Sequence, residues 1–147
     1  MKIVIQRVTK GVVTEHHTGT VTGSINHGLF VLVGFKKGDT KQEVTTIAQK
    51  LLKLRVMSDE SEKMNLSVTD AKASLLVVSQ FTLYANTKDG NRPSFIESLE
   101  PDKARVLYEL FIEELRQSGV PVEIGSFGNY MDIDLSLDGP VTIILEA

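Results

Sequence analysis

Ser79, Gln80 and Thr82 put three hydrogen-bonding side chains within four positions, directly after the apolar run Leu75-Leu76-Val77-Val78. A run that passes into polar and apolar alternation, Ser79-Gln80-Phe81-Thr82-Leu83, predicts a buried strand whose distal half opens one face to water. A pocket wall is built this way, and a strand running into a solvated turn reads the same. Thr82 invites a reading as nucleophile, but a hydroxyl needs a base, and neither histidine nor lysine lies near it in sequence. The polar loop that follows, Asn86 to Pro93, carries Lys88 and Arg92.

Asp138-Gly139-Pro140-Val141-Thr142 offers different chemistry. A Gly-Pro bond is cis at a cost of only about 0.5–1 kcal/mol, and proline has no N–H, so the pair can present carbonyl acceptors to a substrate ammonium without a competing donor. A turn launching the last strand uses the same residues. No P-loop, G-x-S-x-G elbow or G-x-G-x-x-G is present, and the carboxylates are scattered over helix faces and turns.

The elements that must position these stretches alternate between two periods. Strand signals cover residues 2–9, with Gly11 as a turn and Val12 to Glu15 as the hairpin partner, then 18–26 and the buried-looking Leu29 to Gly34. Four short strands then make a meander. Asp39 or Thr40 caps a helix over 41–54, in which Val44, Ile47, Ala48, Leu51 and Leu54 share a face and Glu43 suits the first turn. Arg55 to Met57 reads as a short strand, Ser58 to Lys63 as a turn and Met64 to Val68 as extended, before the central strand at 74–83. Pro101 opens a second helix with Ala104, Leu107, Tyr108, Phe111 and Leu115 as its stripe and Gly119 as its stop. Strands at Val120–Ile124, Met131–Leu135 and Val141–Leu145 follow, with turns at Gly125, Gly128 and Asp138-Gly139-Pro140. The order predicts one α+β domain over 1–147.

Composition narrows the class of function. Hydrophobic content of 41% and charged content of 24% suit a globular protein, and no apolar run approaches the roughly 20 residues of a membrane span. Met1 to Arg7 alternates like a strand and lacks the apolar stretch of a signal peptide, so the reading is cytoplasmic. Zero cysteines exclude disulfides, thiol nucleophiles and sulfur-ligated zinc. His16, His17 and His27 form no H-x-x-x-H or H-x-H pair and read as solvated loop residues, so neither metal nor cofactor is expected. A net charge of −3 argues against a broad nucleic-acid surface, though not against a grip on a short end, for which Lys36-Lys37, Lys88 and Arg92 offer local positive spots.

Together, Ser79-Gln80-Phe81-Thr82 and Gly139-Pro140-Val141-Thr142 resemble the two signature motifs of the D-aminoacyl-tRNA deacylases. Gln6-Arg7-Val8, Lys63-Met64-Asn65, Arg92-Pro93-Ser94-Phe95 and Phe127-Gly128 followed by Met131 extend the resemblance over the whole chain. It implies a homodimeric, mostly antiparallel, barrel-like domain with two main amphipathic helices. It further implies hydrolysis of the ester joining a D-amino acid, or glycine, to the 3′ end of tRNA. Ser79, Gln80, Phe81 and Thr82 would surround the ester, with backbone N–H groups stabilising its oxyanion and the tRNA 2′-hydroxyl assisting water. Gly139 and Pro140 would exclude L-residues from the neighbouring subunit's pocket, Arg7 would brace their loop, and Met131 with Phe127 would shape the pocket's edge.

The chain departs from the family's usual pattern at Leu137, at Asn129-Tyr130 and in Ser58 to Glu62, near the loop and the rim but outside the motif cores. A nucleic-acid-binding module without hydrolase activity and a structural or interaction domain are the alternative readings.

Overall fold

The computed structural model describes residues 1–88 and 90–147. Its strands are β1 (Lys2–Glu15), β2 (Val21–Ile25), β3 (Gly28–Gly34), β4 (Met57–Ser58), β5 (Met64–Leu66), β6 (Ser74–Ser79), β7 (Val122–Ile124) and β8 (Met131–Glu146). The helices are α1 (Lys41–Lys53) and α2 (Pro101–Arg116), and a 3-10 turn spans Phe81–Tyr84. The main sheet runs β2-β1-β3-β6-β7, with β8 on the other edge of β1. β1 is antiparallel to β2, β3 and β8, whereas β3–β6 and β6–β7 are parallel, so the mostly antiparallel sheet carries two parallel pairs. The reason is the two helical crossovers: α1 lies between β3 and β6 and α2 between β6 and β7, and a crossover returns the chain in the same direction. β2 and β7, at the two ends of the order, touch, which nearly closes the sheet into a barrel.

Alternation along β3 and β6 sorts the core. Leu29, Val31, Val33, Leu75 and Val77 face the helices with Val44, Leu51, Phe111 and Leu115. Phe30, Leu76 and Val78 face the inside of the curved sheet with Val8, Val13 and Ile25. Both faces being covered explains why these two strands read as unbroken apolar runs. Thr40 is the cap of α1: its hydroxyl accepts from the Gln42 N–H while Glu43 reaches back to the Thr40 N–H at 2.7 Å. Asp39 instead accepts from the Met1 ammonium at 2.6 Å and from the Lys36 N–H at 2.7 Å.

Several expectations are corrected. Gly11 is not a turn but lies inside β1, paired with Ile25 and Leu135, and a Cβ there would stand 3.1 Å from the side chains of Leu135 and Leu76. The four-strand meander is therefore three strands with β1 in the middle. The central strand stops at Ser79, and β4 is only Met57–Ser58. Finally, Asp138-Gly139-Pro140 does not separate two strands. Gln6 pairs with Thr142 and Val8 with Leu137, so residues 138–141 bulge out of one continuous β8 opposite Arg7.

Candidate active site

The Gln80 N–H ends the β6 ladder on the Val33 carbonyl at 2.7 Å, and the chain then turns. Leu83 N–H bonds back to Gln80 O and Ala85 N–H to Thr82 O, which leaves the N–H groups of Phe81 and Thr82 ahead of the first turn bond and, among the described residues, without an acceptor. Gly34 permits this course: a Cβ there would stand 2.7 Å from Gln80 O. Ser98 Oγ donates to Phe81 O at 3.1 Å, and the Phe81 and Phe95 rings meet edge to face at 5.0 Å. The turn is thus fixed from both sides although Phe81 is 58% exposed.

Ser79, Gln80 and Phe81 line a cavity of about 760 Å³ together with Phe95, Ser98, Ala104, Phe127, Tyr130 and Met131. Thr82 is not among the lining residues, and among the described residues its hydroxyl meets no base but accepts from the Gln80 side-chain amide. Met131 reaches the cavity from the start of β8, with its sulfur 3.2 Å from the Ser126 N–H. The Phe127 ring packs on Tyr108 at 5.4 Å and under the Arg105 guanidinium at 4.7 Å. Gly139 and Pro140 are exposed, joined by a cis peptide bond, and line no part of this cavity. Arg7 lies beneath them, almost fully buried. Its Nη1 donates to Val56 O at 2.9 Å and to Ser58 Oγ at 3.1 Å. Its Nε is 2.9 Å from Asp138 Oδ2, an ion pair off the N–H axis that leaves the buried N–H without a hydrogen bond.

Of the expected wall over 79–83, only Ser79, Gln80 and Phe81 line the cavity, together with Phe127 and Met131; Ser98 and Ala104 join them without having been expected there. Their only signal is proximity to Pro101, where α2 begins. Among the described residues, no group of three His, Asp or Glu side chains is placed to hold a metal ion. His16 Nδ1 instead meets Asp132 Oδ2 at 2.8 Å.

Tyr108 supports the cavity's edge from the core. Its hydroxyl donates to Val77 O at 2.9 Å, and burial pushes its phenol well above the ordinary value of 10.0. The folded state therefore keeps this proton where the unfolded chain releases it. The contribution is full below about pH 10 and is lost as the pH rises through the folded pKa. Tyr108→Phe should flatten that alkaline loss, measured as the difference between urea unfolding free energies at about pH 9 and about pH 11 in the two proteins.

The family described as D-Tyr-tRNA(Tyr) deacylase matches residues 4–146. The chain belongs to that family, whose members are hydrolases acting on aminoacyl-tRNA. It is 50% identical over 147 residues to the D-aminoacyl-tRNA deacylase of Aquifex aeolicus, covering 100% of this chain and 98% of that one. It is 48% identical over 147 residues to that of Geobacillus sp. WCH70, covering 95% of the relative. Among solved structures, the c-Myc DNA Unwinding Element Binding Protein superposes with a TM-score of 0.93 at 41% identity, covering 100% of this chain and 99% of that one. A probable eukaryotic D-amino acid tRNA deacylase shares the fold, with a TM-score of 0.83 at 17% identity over 98% of this chain and 97% of that one.

Proposed function

We propose that this deacylase is one catalytic domain spanning 1–147 that works in the cytoplasm as a homodimer, removes D-amino acids and glycine from the 3′ end of tRNA, and selects them with Gly139-Pro140 supplied in trans. The observation that carries the reading is the separation of the two motifs. The Ser79-Gln80-Phe81 wall lines a cavity that its own Gly139-Pro140 bulge does not reach, and the bulge stands exposed, as a piece meant for another pocket would. Among the described residues β8 pairs only with β1, and it exposes Leu137 and Ile144, an apolar edge suited to a second copy.

At the cavity's edge the ester carbonyl lies against the Phe81 N–H, and the Thr82 N–H stands next along the turn. Water, assisted by the ribose 2′-hydroxyl, adds to the carbonyl carbon, and the two N–H groups hold the oxyanion. Its collapse breaks the bond to the ribose 3′-oxygen, which takes up a proton, and the free amino acid leaves. An L-residue held by the same contacts drives its side chain into the rigid Gly139-Pro140 backbone, whereas a D-residue points away and glycine has nothing to exclude. Arg7 holds the bulge, and Met131 bounds the pocket. No metal or cofactor takes part in this scheme.

The test is deacylation of D-tyrosyl-tRNA, glycyl-tRNA and L-tyrosyl-tRNA by chelator-treated protein, with Thr82→Ala alongside. Release from the first two only, and retention of most activity in Thr82→Ala, are expected. Loss of all activity in a folded Thr82→Ala would turn the mechanism towards a threonine nucleophile. The likeness to a DNA-unwinding-element binding protein favours a second reading, duplex DNA binding without hydrolysis. The net charge of −3 opposes it, and it predicts binding that weakens steeply with salt.

A further inference from the structure

We propose that Tyr130 is a stacking ledge for the terminal, unpaired nucleobase of the substrate, and that His16 holds it in position. The inference rests on the deacylase reading and extends it to a side chain at which this sequence departs from the family's usual pattern. If the ester carbonyl lies at Phe81 and Thr82, the ribose and its base extend towards the mouth of the cavity. Of the five aromatic side chains lining the cavity, Tyr130 is the most exposed, at 67%. It is thus the lining aromatic with the most surface left for a base that extends out of the cavity.

An exposed tyrosine on a loop ordinarily samples several rotamers, but this one is held. The His16 ring meets it edge to face at 4.8 Å and 65°, and the His16 N–H donates to the Tyr130 carbonyl at 2.9 Å. His16 is anchored in turn by Asp132 at 2.8 Å and packs edge-on against His17 at 5.2 Å. On the other side, the Asn129 N–H and side-chain amide both bond to Ser126, at 3.2 and 2.7 Å, which sets the turn leading into Tyr130. Ordering the ring before the ligand arrives lowers the entropic cost of stacking on it. Stacking also needs no positive charge, which suits a chain of net charge −3 that must grip a polyanion by its end.

The experiment compares two small substrates, the 2′(3′)-D-tyrosyl ester of adenosine and the same ester of 1-O-methylribofuranose, which keeps the vicinal hydroxyl but has no base. Stacking of one base predicts that Tyr130→Ala raises KM for the adenosine ester about ten-fold with kcat nearly unchanged, and leaves the base-less ester unaffected. Tyr130→Phe should behave as wild type. His16→Ala should produce a smaller rise in KM for the adenosine ester alone, the split expected of a positioning residue. Equal effects of Tyr130→Ala on both esters, or none on either, would overturn the ledge. Wild-type protein that cleaves neither ester nor D-tyrosyl-tRNA would overturn the deacylase reading beneath it and the ledge with it.

Discussion

Replacing Gly139 with alanine is expected to lower hydrolysis of D-tyrosyl-tRNA by about a hundred-fold, the scale of a displacement of roughly 1 Å in a positioning element. Gly139 sits at φ +118°, a region that L side chains rarely adopt. A Cβ there would lie 2.9 Å from Val141 Cγ2, 3.0 Å from the Val141 N and 3.5 Å from Arg7 Nη2. None of these neighbours is the free end of a long chain that swings aside cheaply, so the bulge must shift. Because Gly139 is exposed, the accompanying loss of stability should stay within about 1–3 kcal/mol, and circular dichroism should show a folded protein. The same variant tests whether the bulge acts in trans. Ala104→Phe would fill the cavity and leave the bulge intact, so homodimers of either variant should be nearly inactive. Mixed and reassociated, they should recover about a quarter of wild-type activity, since about half the dimers are mixed and each has one intact site. No recovery after exchange is verified would mean that the bulge serves its own subunit.

The limits of reading this sequence follow the same geometry. Both helices were legible because their signals are local: Thr40 with Glu43, Pro101 at a first turn, and Gly119 at φ +81° as a stop. Gly11 misled because a glycine required by a neighbour looks the same as one required by a turn. Its neighbours, Leu76 and Leu135, lie on strands far along the chain. Ser79 to Leu83 kept the alternation of a strand but not its partners. The ladder with β3 ends at the Val33–Ser79 pair, and the chain closes into a 3-10 turn. The two motifs were legible by their resemblance to a family. That Ser79-Gln80-Phe81 faces Phe127 and Met131 depends on β7 lying parallel to β6, a pairing made through all of α2. Nothing local in the chain encodes such a pairing.

Arg7→Met should affect stability and activity together, and by unequal amounts. The guanidinium satisfies Val56 O and Ser58 Oγ and pairs with Asp138, tying the β4 strand and its preceding residue to the bulge. Methionine fills much of the volume but leaves a carbonyl, a hydroxyl and a carboxylate without their partner. Breaking a fully buried pair costs about 3–5 kcal/mol, and because the Asp138 side chain is 32% exposed, a loss of about 2–3 kcal/mol is expected in urea unfolding. Lysine should recover little of it, since a single ammonium cannot span the fork of acceptors that two guanidinium nitrogens reach. Activity provides the sharper test. Under conditions where Arg7→Met is fully folded, kcat on D-tyrosyl-tRNA should still fall by about ten- to a hundred-fold, because the 138–141 bulge loses the side chain it rests on. L-tyrosyl-tRNA should then be excluded less strictly, since a looser Gly139-Pro140 backbone yields to an L side chain. A variant equal to wild type in kcat and in its D-to-L ratio, but less stable, would reduce Arg7 to a core residue and leave the bulge held by its own strand.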